Sequence, residues 1–116
     1  MNELEKLRLK VSEFARQRDW DQFHSPKNLA MALIVEAAEL VEQFQWLKQR
    51  ESRELSGEKR QAVEGELADI LVYLVRIADQ LDIDLLAAAR RKIESNAAKY
   101  PADKVRGSSK KYTEYQ

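Results

Sequence analysis

The sequence contains no cysteine, one histidine, two prolines and three glycines in 116 residues. Without cysteine there is neither a disulfide framework nor a thiolate metal site. A single histidine, His24, excludes metal centres built from several imidazoles, including the Glu-x-x-His pairs of di-iron bundles. There is no GxxxxGK[ST] loop, so any phosphate would be held by metals and side chains and not by a glycine cradle. No run of about 18 apolar residues is present, which excludes a membrane-spanning helix. The first ten residues, MNELEKLRLK, lack the apolar core of a signal peptide. Neither sign of charge is in excess: 20 Lys and Arg balance 20 Asp and Glu, so no net field draws the chain to nucleic acid. A soluble, cytoplasmic protein that binds neither membrane nor nucleic acid is the expectation.

What is abundant is helix-forming: Ala, Leu, Glu, Lys, Arg and Gln. Leu4, Leu7, Val11 and Phe14 recur at 3–4 spacing and predict an amphipathic helix over about 2–18. An aromatic-rich connection follows, from Arg18 to His24. Ser25-Pro26 reads as an N-cap followed by proline at the first helical position, which predicts a second helix to about Lys48. After the charged segment QRESRELSG, Ser56 is placed to cap a third helix running to about Leu81. Asp82 or Asp84 can cap a fourth, which carries Leu85, Leu86, Ala89, Ile93 and Ala97 and ends before Tyr100-Pro101. The fold class expected is all-α: a four-helix bundle over residues 1–100, with a polar, basic tail over 101–116. Helices two and three carry apolar residues on more than one face, Met31, Ile34 and Val35 in one and Ile70, Leu71 and Val72 in the other. That surplus predicts self-association.

Four acids interrupt these apolar stretches. Glu36 and Glu39 lie in LIVEAAELVEQF, and Glu66 and Asp69 in EGELADILVYL. Each pair is spaced i, i+3, so both carboxylates of a pair share one side of a helix. Leu29, Leu33, Leu40, Phe44 and Leu47 trace the inward stripe of helix two, and Glu36 completes its rhythm. In helix three Glu66, Asp69 and Tyr73 are expected along the flank of a stripe formed by Leu67, Ile70, Leu74, Ile77 and Leu81. A carboxylate at a core position is costly unless paired, protonated or bound to metal. If the helices face each other, four acids converge, and an all-oxygen set suits Mg²⁺ or Mn²⁺. Mg²⁺ commonly completes its shell with substrate phosphates, which points to nucleotide or pyrophosphate chemistry. The plain alternative is a solvated acidic face on a helical oligomerisation or regulatory module.

EAAE, a 26-residue interval and ELAD resemble the ExxE…ExxD signature of the MazG-like, all-α nucleoside triphosphate pyrophosphohydrolases. The segments RDWDQFHSPKNL, ELVEQFQW, ELADILVYLV, NAAKYP and SSKKYTE further resemble the dCTP pyrophosphatase branch, from about Leu7 to Glu114. The four acids show no departure from the pattern. The resemblance implies cleavage of the α–β anhydride of dCTP, or of a modified dCTP, to the monophosphate and pyrophosphate. It makes Glu36, Glu39, Glu66 and Asp69 the catalytic Mg²⁺ ligands, with a glutamate of the first pair orienting or deprotonating the attacking water. It also implies a homotetramer built as a dimer of dimers, with sites completed by neighbouring chains. The same chemistry on dUTP or a damaged nucleotide is the nearest alternative.

Further substrate-binding candidates are Trp20, His24, Trp46, Tyr73, Lys92, Asn96, Lys99 and Tyr100. Trp20 and Trp46 offer faces on which a base can stack, against the alternative of covering a bundle end or packing at a core or interface. His24 reads as a structural hydrogen-bonding group near Ser25 ahead of a catalyst, and stands among the substrate-binding candidates on that footing. Tyr73 extends the Glu66–Asp69 face by a turn and brings a hydroxyl within reach of sugar or phosphate. Asn96 and Lys99 are suitable donors to phosphate oxygens, with Lys92 one turn earlier on the same face. Without the resemblance they form an ordinary helix end. Lys104, Arg106, Lys110 and Lys111 read as solvated or as an inter-subunit clamp.

Overall fold

The computed structural model describes residues 1–109, and among them there are helices and turns but no strand. The helices are α1 (Glu3–Gln17), α2 (Pro26–Phe44), α3 (Gln49–Ser52), α4 (Gly57–Gln80), α5 (Leu85–Lys99) and α6 (Ala102–Val105). A single 3₁₀ turn, Asp21–Phe23, lies between α1 and α2. The four long helices are those the periodicity predicts. α3 and α6 are single turns inside segments expected to be irregular. No described helix is long and apolar enough to cross a membrane. Lys110 and Lys111, and the KYTE end of the resembling tail segment, lie outside the described residues.

The capping signals act largely as read. The Ser25 hydroxyl accepts from the Asn28 amide at 3.1 Å, with Pro26 opening the helix. Of the two candidate caps for α5, Asp84 serves, accepting from the Ala87 amide at 3.0 Å. Ser56 occupies the N-cap position of α4 without a side-chain capping bond. Asp82 has another task, in the turn that closes α4. It sits at φ 53°, as Asp19 does after α1. In both places the next residue's amide reaches back to close the helix: Trp20 to the Ala15 carbonyl at 2.9 Å, and Ile83 to the Ala78 carbonyl at 2.8 Å. This is the Schellman ending, which left-handed aspartate permits and glycine would adopt with less strain.

The residues form two compact units, Met1–Ile83 and a second beginning at Asp84. In the first, α4 is the central element, packing along α2 and also against α1. Ala15, Leu29, Val63, Val75 and Ala78 are buried there. The inward stripe of α2 is the expected one, with Leu33, Glu36, Leu40 and Phe44 half-buried below Leu29. That of α4 is not. Leu67, Leu74 and Leu81 are exposed, while Glu66, Ile70, Tyr73 and Ile77 are half-buried beside Val63. The helix is rotated toward its acids, so Glu66 faces the partner helix instead of flanking the seam. The displaced apolar side, Leu67, Leu71 and Leu74, is presented outward along with Met31, Ile34, Val35 and Val41 of α2.

The second unit contains α5 and α6. Lys92, Asn96 and Lys99 lie along one side of α5, and Tyr100 caps its C-terminus, its amide donating to the Asn96 carbonyl at 2.8 Å.

Candidate active site

The seam between α2 and α4 brings Glu36, Glu39 and Glu66 together, with one carboxylate oxygen from each lying within 4.8 Å of the others. Glu36 Oε2 and Glu66 Oε2 are buried and have no hydrogen-bond partner among the described residues. A buried anionic oxygen without a donor is among the costliest arrangements a protein can hold. Here the cost shows in Glu36. Its proton is retained up to about pH 7 because the Glu66 carboxyl can share it, because the site is partly desolvated, and because Glu39 and Asp69 add negative charge. Asp69 stands outside the three-acid cluster but close enough to act on Glu36 through its charge. Two orphaned buried oxygens in an all-carboxylate set fit a hard divalent cation, which relieves the repulsion and supplies the missing partner.

Asp69 also faces a cavity of about 150 Å³ that it shares with Trp20, His24, Leu29, Tyr73 and Arg76, among others. Three of the proposed substrate contacts, Trp20, His24 and Tyr73, therefore meet around one space that opens beside an acid. Trp20 is held edge-on by Phe14, ring centroids 5.6 Å apart at 69°, in the contact expected between the end of the Schellman turn and the last turn of α1. Its centroid lies 6.2 Å from that of His24. Trp46 is elsewhere. α2 ends at Phe44, four residues earlier than expected, so Trp46 belongs to a turn and is 86% exposed. Packing into the core of its own chain is thereby excluded for it.

One residue of this cavity has no counterpart in the sequence reading. Arg76 is only 3% exposed, and each of its three nitrogens is engaged. Nε donates to His24 Nδ1 at 3.2 Å, Nη1 to Asp79 at 3.2 Å, and Nη2 to Asp21. Asp79 in turn accepts from Arg8 of α1 at 3.0 Å. His24 is thus a hydrogen-bonding group beside Ser25, as expected, and its partner is Arg76, while the Ser25 hydroxyl caps α2. Burial, then the nearby guanidinium, lowers the pKa of His24 below its ordinary value, with Asp21 acting in the opposite sense. A signal was available: Arg76 is the only charge in ILVYLVRIA and continues the 66–69–73 rhythm of the acidic face.

Converging carboxylates on two helices beside a small aromatic cavity make an all-α site that could hold a metal ion, of the kind suited to phosphate esters and anhydrides. The chain belongs to the MazG-like family, whose model matches residues 31–115. It is 45% identical over 113 residues to dCTP pyrophosphatase 1 of Homo sapiens, and 44% identical to the protein of that name from Bos taurus. These alignments take in 96% of this chain but only 66% and 67% of the relatives' own length. Among solved structures, a pyrophosphatase from Archaeoglobus fulgidus matches with a TM-score of 0.81 at 39% identity, over 87% of this chain and 94% of that one.

Proposed function

We propose that the protein is a Mg²⁺-dependent nucleoside triphosphate pyrophosphohydrolase that converts dCTP, or a modified dCTP, to the monophosphate and pyrophosphate, sanitising the nucleotide pool of the cytoplasm. The observation that carries this reading is the pair of buried, partnerless oxygens on Glu36 and Glu66. They suit a cation, and the names of the mammalian relatives suggest what that cation would serve. Glu36, Glu39, Glu66 and Asp69 would hold Mg²⁺, with Mn²⁺ as a substitute. The metal's chemistry, when bound, is to neutralise phosphate charge and lower the pKa of a coordinated water.

The chain's own residues then divide the remaining work. A glutamate of the first pair orients the attacking water or takes its proton. Trp20 offers a stacking face to the base at the cavity wall, and the Tyr73 hydroxyl reaches sugar or phosphate from the same helix face as Asp69. Lys92, Asn96, Lys99 and Tyr100 are assigned to the phosphates, where Lys and Asn are suitable donors. The exposed apolar side of α2 and α4 supports assembly as a homotetramer of paired dimers, and Trp46 offers a further stacking face to the base.

The test is turnover of dCTP, dUTP, dTTP, dATP and CTP with Mg²⁺, products being read by ³¹P NMR. Monophosphate plus pyrophosphate, fastest from dCTP, is the expected result. Orthophosphate as first product would overturn the bond assignment. Absence of turnover with either metal would leave a helical binding module.

A further inference from the structure

The bond from Arg76 Nε to His24 Nδ1 settles a question of chemistry at the cavity wall. A guanidinium nitrogen is always a donor. The imidazole nitrogen it meets must therefore be the unprotonated one, and the neutral ring carries its hydrogen on Nε2. Without such a partner a histidine exchanges between two tautomers and presents either a donor or an acceptor. Here the presentation is fixed, and the fixing residue is itself held. Asp79 binds the guanidinium from α4 and is anchored to α1 through Arg8, while Asp21 binds it from the connection that carries Trp20. Among the described residues Nε2 of His24 makes no protein hydrogen bond, and the ring lines the cavity with Trp20, Tyr73 and Asp69.

We propose that Arg76 is a positioning residue that locks His24 as a hydrogen-bond donor to the cavity, so that the site selects a pyrimidine whose ring edge accepts. Cytosine presents adjacent acceptors at O2 and N3. Uracil and thymine share the O2 acceptor and add one at O4, but they carry a hydrogen on N3, so a donor fixed opposite the N3 position tells them from cytosine. A polar group committed to one sense rejects the wrong partner more strongly than an apolar pocket can, because the mismatch leaves buried polar atoms unpaired. The inference rests on the nucleotide reading for its ligand class, while the tautomer itself does not.

His24 is the only histidine in the chain, so a long-range ¹H–¹⁵N spectrum of the whole protein reports on one ring. At neutral pH it should show an unprotonated Nδ1 and a protonated Nε2. A hydrogen on Nδ1, or two averaged nitrogens, would overturn the proposal without any variant. In Arg76→Met the two nitrogens should move toward averaging, and Arg76→Lys, which restores a donor, should move them back. Binding of dCMP and dUMP, followed by titration calorimetry, then tests selection without requiring turnover. The preference for dCMP should fall about tenfold in Arg76→Met, the effect of losing one oriented hydrogen bond. It should be partly recovered in Arg76→Lys. An unchanged preference, or no binding of either nucleotide to the wild type, defeats the selection. If Arg76→Met does not fold, the wild-type spectrum and Arg76→Lys decide. Failed hydrolysis in the ³¹P assay, with nucleotide selection intact, would instead count against the enzymatic reading alone.

Discussion

Glu36 and Glu66 face each other across the α2–α4 seam, each with one buried oxygen that has no hydrogen-bond partner among the described residues. The fold therefore carries a local repulsion in its main helix contact, and the repulsion is relieved by a proton or by a cation.

The proton gives the first prediction. The unfolded chain releases the Glu36 proton near its ordinary value of 4.5, whereas the native chain holds it to about 7. Between these values the native state binds more protons, so stability falls as pH rises through the window. The cost is complete above about pH 7 and absent below about 4.5. In EDTA, Glu36→Gln should thus raise the Tm more at pH 8 than at pH 5. A constant difference between variant and wild type across that range would show that the carboxyl does not titrate as described.

The cation gives the second. Mg²⁺ should raise the Tm of the wild type in a saturable way, following RT ln(1 + [L]/Kd). The gain should be largely lost in Glu39→Ala and in Asp69→Asn, which should also abolish hydrolysis while leaving the far-ultraviolet circular dichroism unchanged. A variant that keeps near-normal turnover would remove that acid from the mechanism.

A third concerns Asp19, whose φ of 53° lies in the left-handed region. Asp19→Gly should relieve strain of about 1 kcal/mol, offset in part by the greater freedom of glycine in the unfolded chain. The side chain surrenders only an exposed bond from Gln22 at 3.1 Å. Denaturant unfolding should show a modest net stabilisation. A clear loss would mean that the Asp19 carboxylate contributes more than its backbone costs.

A fourth concerns the outward apolar side. Ile34 is 66% exposed and Leu67 is 52% exposed in the single chain. Ile34→Glu should reduce the mass found by sedimentation without lowering helix content if this side is the assembly surface. A wild type that sediments as a monomer at every concentration would remove the tetramer from the proposal.

Much of this was legible in the residues. The 3–4 rhythms place all four long helices, Ser25-Pro26 marks the start of α2, and the ExxE and ExxD spacings mark the acids. What was hidden depends on partners remote in the chain. The rotation of α4 follows from packing on α2 and α1 together, and no single-helix pattern distinguishes Ile70 facing inward with Glu66 from Ile70 facing inward with Leu67. α2 stops at Phe44 although Gln45–Lys48 contains neither Gly nor Pro, so there was no stop signal to read. Arg76 was visible as a lone charge in an apolar run, but its partners His24 and Asp21 lie 52 and 55 residues away.

The placement of the two tryptophans has an optical consequence. Trp20 rests against Phe14 at the cavity wall, and Trp46 stands almost fully in solvent. One indole is thus set to register what enters the cavity, the other what closes over the turn after α2. With Trp46→Phe the remaining emission belongs to Trp20 and follows ligand. With Trp20→Phe it belongs to Trp46, and its wavelength at rising protein concentration follows whether a second surface has excluded water from that ring. The chain thus carries two intrinsic fluorophores in separate settings, one at the cavity wall and one in solvent.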